Sequence, residues 1–275
     1  MAPTPLASVV GGPPPADLPV IQLRGLPLHA LKQEQCVAYI HAALDRGRGG
    51  WVVTPNLDFM RRLDHDQAFF RLCGRADLIV ADGMPLVWAS RLQGTPLPQR
   101  VAGSDLILSL SREAGRRHRS VYLLGGAEGT AQRAARVLRD RCPGLVLAGC
   151  ACPTMLRGDD PEPLTRVIQD LERARPDIVF VALGSPKQEH LIDALHHLLP
   201  TTWWVGVGIS FSFLCGEVRR APRWMQRGGL EWVHRLGQEP GRLARRYLVQ
   251  GLPFALVLLA GALWARWHRP GGAVV

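Results

Sequence analysis

Short apolar runs, each separated from the next by an amphipathic stretch of helical period, constrain this chain more than any other feature of its sequence. The runs fall near residues 20–24, 50–54, 77–81, 120–125, 145–149, 177–183 and 202–207. Helical patterns fill the gaps near 32–46, 57–73, 84–93, 104–117, 129–141, 161–174 and 187–198. A strand that is apolar throughout is buried on both faces, and a strand–helix–strand order joins such strands in parallel. The expected fold class is therefore α/β, a parallel sheet with helices on both faces. Ligands of such sheets settle beyond the carboxyl ends of the strands, so polar residues just after each run become the candidates.

Composition narrows the class. With 275 residues, 47% hydrophobic and 20% charged, the chain can bury a large core, which excludes a disordered or fibrous protein. Residues 1–19, rich in Pro, Gly and Ala, read as a flexible tail; 20–215 carry the α/β pattern; 216–275 form a basic, then apolar, helical appendage. The net charge of +10 is concentrated there: between Gly216 and Arg269 ten arginines face three glutamates, leaving +3 for the rest. No nucleic-acid module surrounds the arginines and an apolar run follows them, so a membrane surface fits better than nucleic acid. The six cysteines form no Cys-x-x-Cys pair, and the first residues have no charged segment leading into an apolar run, which points to a reducing cytoplasm.

Four strand endings carry polar residues. Val53-Thr54-Pro55-Asn56 closes a run with a hydroxyl and an amide, both good helix caps. Ala81-Asp82-Gly83 places a carboxylate at a strand end, read either as a cap or as a general base for a substrate hydroxyl. Gly125-Gly126-Ala127-Glu128-Gly129-Thr130 lacks the full dinucleotide fingerprint, yet a helix start of this kind favours anions; a plain tight turn explains it equally well. In Gly184-Ser185-Pro186-Lys187-Gln188-Glu189, polar residues crowd a helix start, either as a solvated first turn or as ligand contacts. Asp64-His65-Asp66 spells a metal-associated Asp-x-Asp but falls inside a helical stretch, and Asp159-Asp160 reads as a loop and helix start. No Cys/His spacing suits zinc, so no protein-held metal is expected.

Together these landmarks resemble the WecG/TagA/CpsF family of bacterial glycosyltransferases from about residue 20 to 250. The carrying residues are Thr54-Pro55-Asn56, Ala81-Asp82-Gly83, Arg100-Val101-Ala102-Gly103-Ser104-Asp105-Leu106, Gly184 to Glu189, Gly206-Val207-Gly208, Arg220-Ala221-Pro222-x-Trp224, Leu230 to Leu236, Glu239-Pro240-x-Arg242 and Arg245-Arg246-Tyr247. The resemblance implies a Rossmann-like, inverting, metal-independent enzyme without a cofactor. It would move a sugar (N-acetylmannosamine, its uronic acid or glucose) from a UDP-sugar to an undecaprenyl-diphosphate-linked saccharide in cell-surface polysaccharide biosynthesis. It would work at the cytoplasmic face of the inner membrane. By the same resemblance Asp82 is the catalytic base, Thr54 supports base and substrate, and Asn56, Arg100, Gln188 and Glu189 line the donor pocket. Arg235, Arg242 and Arg245 then meet the diphosphate. One departure stands out: where the family commonly has an Asp after Gly-Val-Gly, this chain has Ser212.

The chemistry agrees. Inversion needs one base and no nucleophilic carboxylate, and an unperturbed Asp, with a pKa of about 3.9, is already ionised at neutral pH. Charge on a departing diphosphate needs a metal or fixed cations. The spacings of Arg235, Arg242 and Arg245, seven and three, place them on one face of a helix unless Pro240 interrupts it; the same arginines also suit a lipid-facing patch. Leu248 to Ala265 is an uncharged 18-residue run flanked by arginines, about 27 Å long if helical. That suits a short span, an in-plane helix or a buried core helix. A monotopic or C-terminally anchored enzyme is expected, with a homo-oligomer off the membrane left open. The alternatives are a membrane-docked nucleotide-binding module without catalysis and, on the glycine loop alone, a nicotinamide-linked oxidoreductase.

Overall fold

A computed structural model describes residues 18–152 and 162–268. Residues 1–17, the Asp159-Asp160 pair and Arg269 lie outside the described residues. The chain opens with β1 (Val20–Leu23) and β2 (Leu26–His29), an antiparallel pair closed by Arg24 and Gly25. Both turn residues have positive φ, +51° and +80°, which a two-residue hairpin of right-handed twist requires. The run at 20–24 therefore does not join the parallel sheet, as its apolar character suggests; it pairs locally with a partner whose Pro27 suits an edge strand.

After α1 (Gln33–Asp45) come β3 (Gly50–Val53), α2 (Leu57–His65), α3 (Gln67–Cys73), β4 (Leu78–Ile79), α4 (Met84–Leu92), α5 (Gly103–Arg116), β5 (Ser120–Gly125), α6 (Thr130–Arg141) and β6 (Val146–Ala151). They are followed by α7 (Glu162–Ala174), β7 (Ile178–Ala182), α8 (Lys187–Leu195), β8 (Trp203–Gly206) and α9 (Ser210–Leu214). The six strands β3 to β8 form one parallel sheet ordered β4-β3-β8-β7-β5-β6. Side chains alternate along each strand. Trp51, Val53, Tyr122, Leu124, Val179, Val181 and Trp204 build a core with α2, α3, α4, α7 and α8; Val52, Val121, Leu123, Phe180, Trp203 and Val205 build a second with α1, α5, α6 and α9. Helices thus cover both faces, as the apolar runs require.

The helical pattern at 57–73 is broken in two. Asp66 adopts an extended backbone and accepts the Phe69 N–H at 2.9 Å, capping α3, while Asp64 pairs with Arg24 at 2.5 Å. Both carboxylates of the Asp-x-Asp are thereby occupied by protein groups.

Beyond α9 lie α10 (Arg223–Arg227), α11 (Glu231–Gln238) and α12 (Pro240–Ala244), which runs through a π-helical turn (Arg245–Gly251) into α13 (Leu252–Trp267). Helix α13 packs along α4 and α2. Phe254, Leu258 and Ala262, four residues apart, join the first core, and Arg24 lies 5.9 Å over the Phe254 ring. Fully burying a Phe or Leu contributes about 1.5–3 kcal/mol, so this stripe fixes the helix to the domain. Its other side is bare and apolar: Leu256 is 70% exposed, Trp264 64% and Trp267 83%.

Candidate active site

The carboxyl ends of β3 and β4 bring Thr54 and Asp82 together. The Asp82 N–H donates to the Pro55 carbonyl at 2.8 Å, prolonging the pairing of the two strands, and Gly83, with φ +144°, then turns the chain into α4. Thr54 faces the start of α5. A Cβ on Gly103 would stand 3.3 Å from Thr54 Oγ1 and 3.1 Å from the Gly206 carbonyl, so a side chain here would crowd the ends of β3 and β8 and push its neighbours back by a few tenths of an ångström. Asn56 caps α2, its Oδ1 accepting the Phe59 N–H at 3.0 Å, and its exposed amide stands at the mouth of the same strand ends.

Asp82 keeps partial access to solvent, yet its surroundings withhold hydration. Burial pushes its carboxyl up to about 7, opposed by Arg100 and Arg220 and reinforced by Glu231 and Asp105. The expectation of an ordinary, fully ionised aspartate is corrected: desolvation places this acid where it can take up and release a proton near neutral pH.

Four charged side chains beside it form one network. Arg100 donates to Glu231 at 2.7 Å and to Gln226 at 3.2 Å, and reaches Asp105 at 3.3 Å. Arg220 grips Asp105 through both terminal nitrogens, at 2.5 and 2.8 Å, and its Nε stands 3.8 Å from Glu231. Sequence reasoning named only Arg100 of these as a site residue. The others belong to the same motifs, but nothing in their spacing shows that residues 105, 220 and 231 converge.

At the start of α8 the two acceptor-rich residues are buried rather than solvated, whereas Lys187 is exposed. Gln188 Oε1 accepts the Gly208 N–H at 3.1 Å and its Nε2 donates to Glu189 Oε1 at 2.8 Å, which fixes the amide's orientation. A Cβ on Gly206 would lie 2.6 Å from Gln188 Nε2, so this packing too requires glycine. Glu189 Oε2 is buried with no hydrogen-bond partner among the described residues, and burial raises its carboxyl.

In the glycine-rich loop after β5 the Gly126 N–H prolongs the pairing with β7 by donating to the Ala182 carbonyl, and a tight turn then closes with the Thr130 N–H donating to the Ala127 carbonyl. The connections leaving β5 and β7 nonetheless run to opposite sides, towards β6 and β8, which makes the ends of these two strands the switch point where ligands of such sheets settle. From β7 to β4 is three strand spacings, about 14 Å, so this switch point and Asp82 lie along the same carboxyl edge of the sheet. Ser212 sits on α9, and the carboxylate it helps hold is Glu217. Arg133 and Ser212 keep that carboxyl below its usual range.

The three C-terminal arginines do not share one helix. Glu239 breaks the backbone (φ −135°, ψ 59°) and Pro240 starts α12, leaving Arg235 on α11, Arg242 on α12 and Arg245 in the π turn. Arg235 lies 5.9 Å over the Phe213 ring, Arg242 pairs with Glu239 at 2.5 Å, and Arg245 is exposed. Among the described residues no group of three or more His, Cys, Asp or Glu side chains is placed to hold a metal ion.

A parallel α/β sheet with a desolvated carboxylate, a hydroxyl and guanidinium groups along one edge is the frame of a group-transfer enzyme. The family follows from comparison: residues 21–268 match the model of the glycosyl transferase WecG/TagA/CpsF family, and the chain belongs to it. It is similar to the N-acetylglucosaminyldiphosphoundecaprenol N-acetyl-beta-D-mannosaminyltransferases of Bacillus spizizenii (36% identical over 203 residues, 74% of this chain and 76% of the relative) and Bacillus subtilis (32% over 202 residues, 74% and 77%). The enzyme of that name from Staphylococcus aureus is 28% identical over 212 residues, 77% of this chain and 80% of its own. Membership makes the chain a glycosyltransferase.

Proposed function

We propose that this protein is an inverting, metal-independent transferase that moves N-acetylmannosamine, its uronic acid or glucose from a UDP-sugar to an undecaprenyl-diphosphate-linked saccharide in cell-surface polysaccharide biosynthesis. The acceptor class rests on the names of the similar enzymes. The chemistry rests on one observation, the desolvated Asp82 at the sheet's carboxyl edge. Its carboxylate takes the proton of the acceptor hydroxyl as that oxygen attacks the anomeric carbon. The bond from that carbon to the diphosphate breaks with inversion, and its electron pair leaves on the UDP oxygen. Arg235, Arg242 and Arg245 stabilise the charge released there, a role that fixed cations fill without a metal. Thr54 hydrogen-bonds the reacting groups. Asn56, Arg100, Gln188 and Glu189 shape the donor pocket, Gln188 through its fixed amide.

Residues 216–275 carry the acceptor side and the membrane contact. Because the Phe254, Leu258 and Ala262 stripe is seated on the domain, α13 lies in the cytoplasmic leaflet of the inner membrane on its bare apolar side rather than crossing it. The exposed Arg242, Arg245 and Arg266 accompany it towards anionic headgroups.

The test is a panel of UDP-sugars with a synthetic polyprenyl-diphosphate sugar, run with and without chelator and read by product mass. One donor should add one sugar residue, with equal UDP release, in chelator. Binding of UDP without product for any donor would leave a binding module, and activity restored only by magnesium or manganese would overturn metal independence.

A further inference from the structure

The network of Arg100, Asp105, Arg220 and Glu231 joins two parts of the chain that the sequence separates by more than a hundred residues. Arg100 and Asp105 belong to the approach to α5 and its first turn; Arg220 precedes α10, and Glu231 opens α11. All four are more than two-thirds buried as side chains, Arg100 most of all at 14% exposure. An ion pair so placed is screened far less than a surface pair, so its members act on a neighbouring charge with little attenuation. Two guanidiniums and two carboxylates also cancel, so the assembled set presents no net charge to its surroundings.

We propose that Glu231 and Arg220 are positioning residues for the reaction at Asp82: seated on Arg100 and Asp105, they let the C-terminal segment balance the charge that this carboxylate faces. The inference rests on the reading of Asp82 as the base. With the balance intact, burial alone governs the acid, which stays proton-avid enough to accept a hydroxyl proton. Loss of Glu231 leaves Arg100 and Arg220 in excess, favours the carboxylate and weakens it as a base. Loss of Arg220 leaves the two acids in excess and does the opposite. The backbone holds this network beside Asp82: the Val101 N–H, next to Arg100, donates to the carbonyl of Ala81, next to Asp82, at 2.8 Å, and the charges that act on the carboxylate there are Arg100 from the loop before α5, Asp105 from α5, Arg220 from the segment before α10 and Glu231 from α11.

The experiment is the pH profile of kcat/KM for full-length protein with the UDP-sugar that turns over and a short polyprenyl-diphosphate acceptor, which reports the free enzyme's essential base. Glu231→Gln should move the acid limb down and Arg220→Gln should move it up, each by about one pH unit. Glu231→Asp, which keeps the charge, should leave it near the parent. Opposite displacements are a signature that loosened packing does not produce. Melting curves of each variant accompany the profiles, and if Glu231→Gln does not fold, the Arg220→Gln and Glu231→Asp pair decides alone. Midpoints that stay put, or move the same way in both Gln variants, overturn the inference while Asp82→Asn remains inactive. An active Asp82→Asn would instead remove the base itself, and the inference with it.

Discussion

Asp82→Asn separates the chemistry of this acid from its cost to the fold. Burial lifts the carboxyl from 3.8 to about 7. Below pH 3.8 folded and unfolded chains both carry the proton; between there and about pH 7 the folded chain keeps it while the unfolded chain releases it. Stability therefore falls as pH rises through that window and levels off above it. At about 1.4 kcal/mol per tenfold, the whole span amounts to ~4 kcal/mol above pH 7. Asparagine has the shape of the neutral acid and never ionises, so the variant should melt several degrees above the parent at pH 8, with the gain vanishing near pH 4. Over the same range it should lose about 10²- to 10⁴-fold in turnover while still binding UDP-sugar. Thermal melts at pH 4, 6 and 8 and UDP release with a lipid-linked acceptor read both effects. A variant that melts lower at pH 8 would refute the desolvation argument, and one that turns over normally would refute the role in proton transfer. In the parent, kcat/KM should climb with pH to a plateau above about 7.

Gly103→Ala forces its new methyl against the Gly206 carbonyl and Thr54 Oγ1; a loss of about 1–3 kcal/mol in denaturant midpoint and a fall in kcat/KM are expected, and an unchanged kcat/KM would detach Thr54 from the site. Arg242→Ala should impair transfer even with a short soluble acceptor, whereas a defect limited to membrane-bound acceptor would make the residue a lipid contact. Leu256→Ser with Trp264→Ser alters only the bare side of α13; co-sedimentation with anionic vesicles should drop severalfold while the melting temperature stays within a degree or two. Retained sedimentation would place the membrane contact elsewhere.

The parallel sheet was legible because its strands are apolar throughout, and Val52 to Val53 or Ile178 to Ala182 can be buried only between two helical layers. The hairpin was not: four residues around Pro27 are too few to show a period, and its one strong signal, the Arg24-Gly25 turn, speaks only when both flanks are seen to pair. The amphipathic pattern runs on through Asp66, so the break between α2 and α3 shows only in a cap bond. At the site, strand ends gave Thr54 and Asp82 their place in the fold. Proton affinity is another matter, because it depends on burial and on the surrounding charges, two of which, Arg220 and Glu231, come from far along the chain. The arginine spacing defined one face only for an unbroken helix, and of the two courses open at Pro240 the chain takes the interruption, beginning a new helix there.

The contact of Arg24 with Phe254 makes neighbours of the first and last elements described. During synthesis, then, the groove along α4 has no cover until residue 262 has left the ribosome, long after the sheet beneath it can form. At elongation rates of about 5–20 residues per second, the interval from the end of β8 lasts several seconds, and throughout it a greasy strip is open to whatever surface lies nearest the exit tunnel.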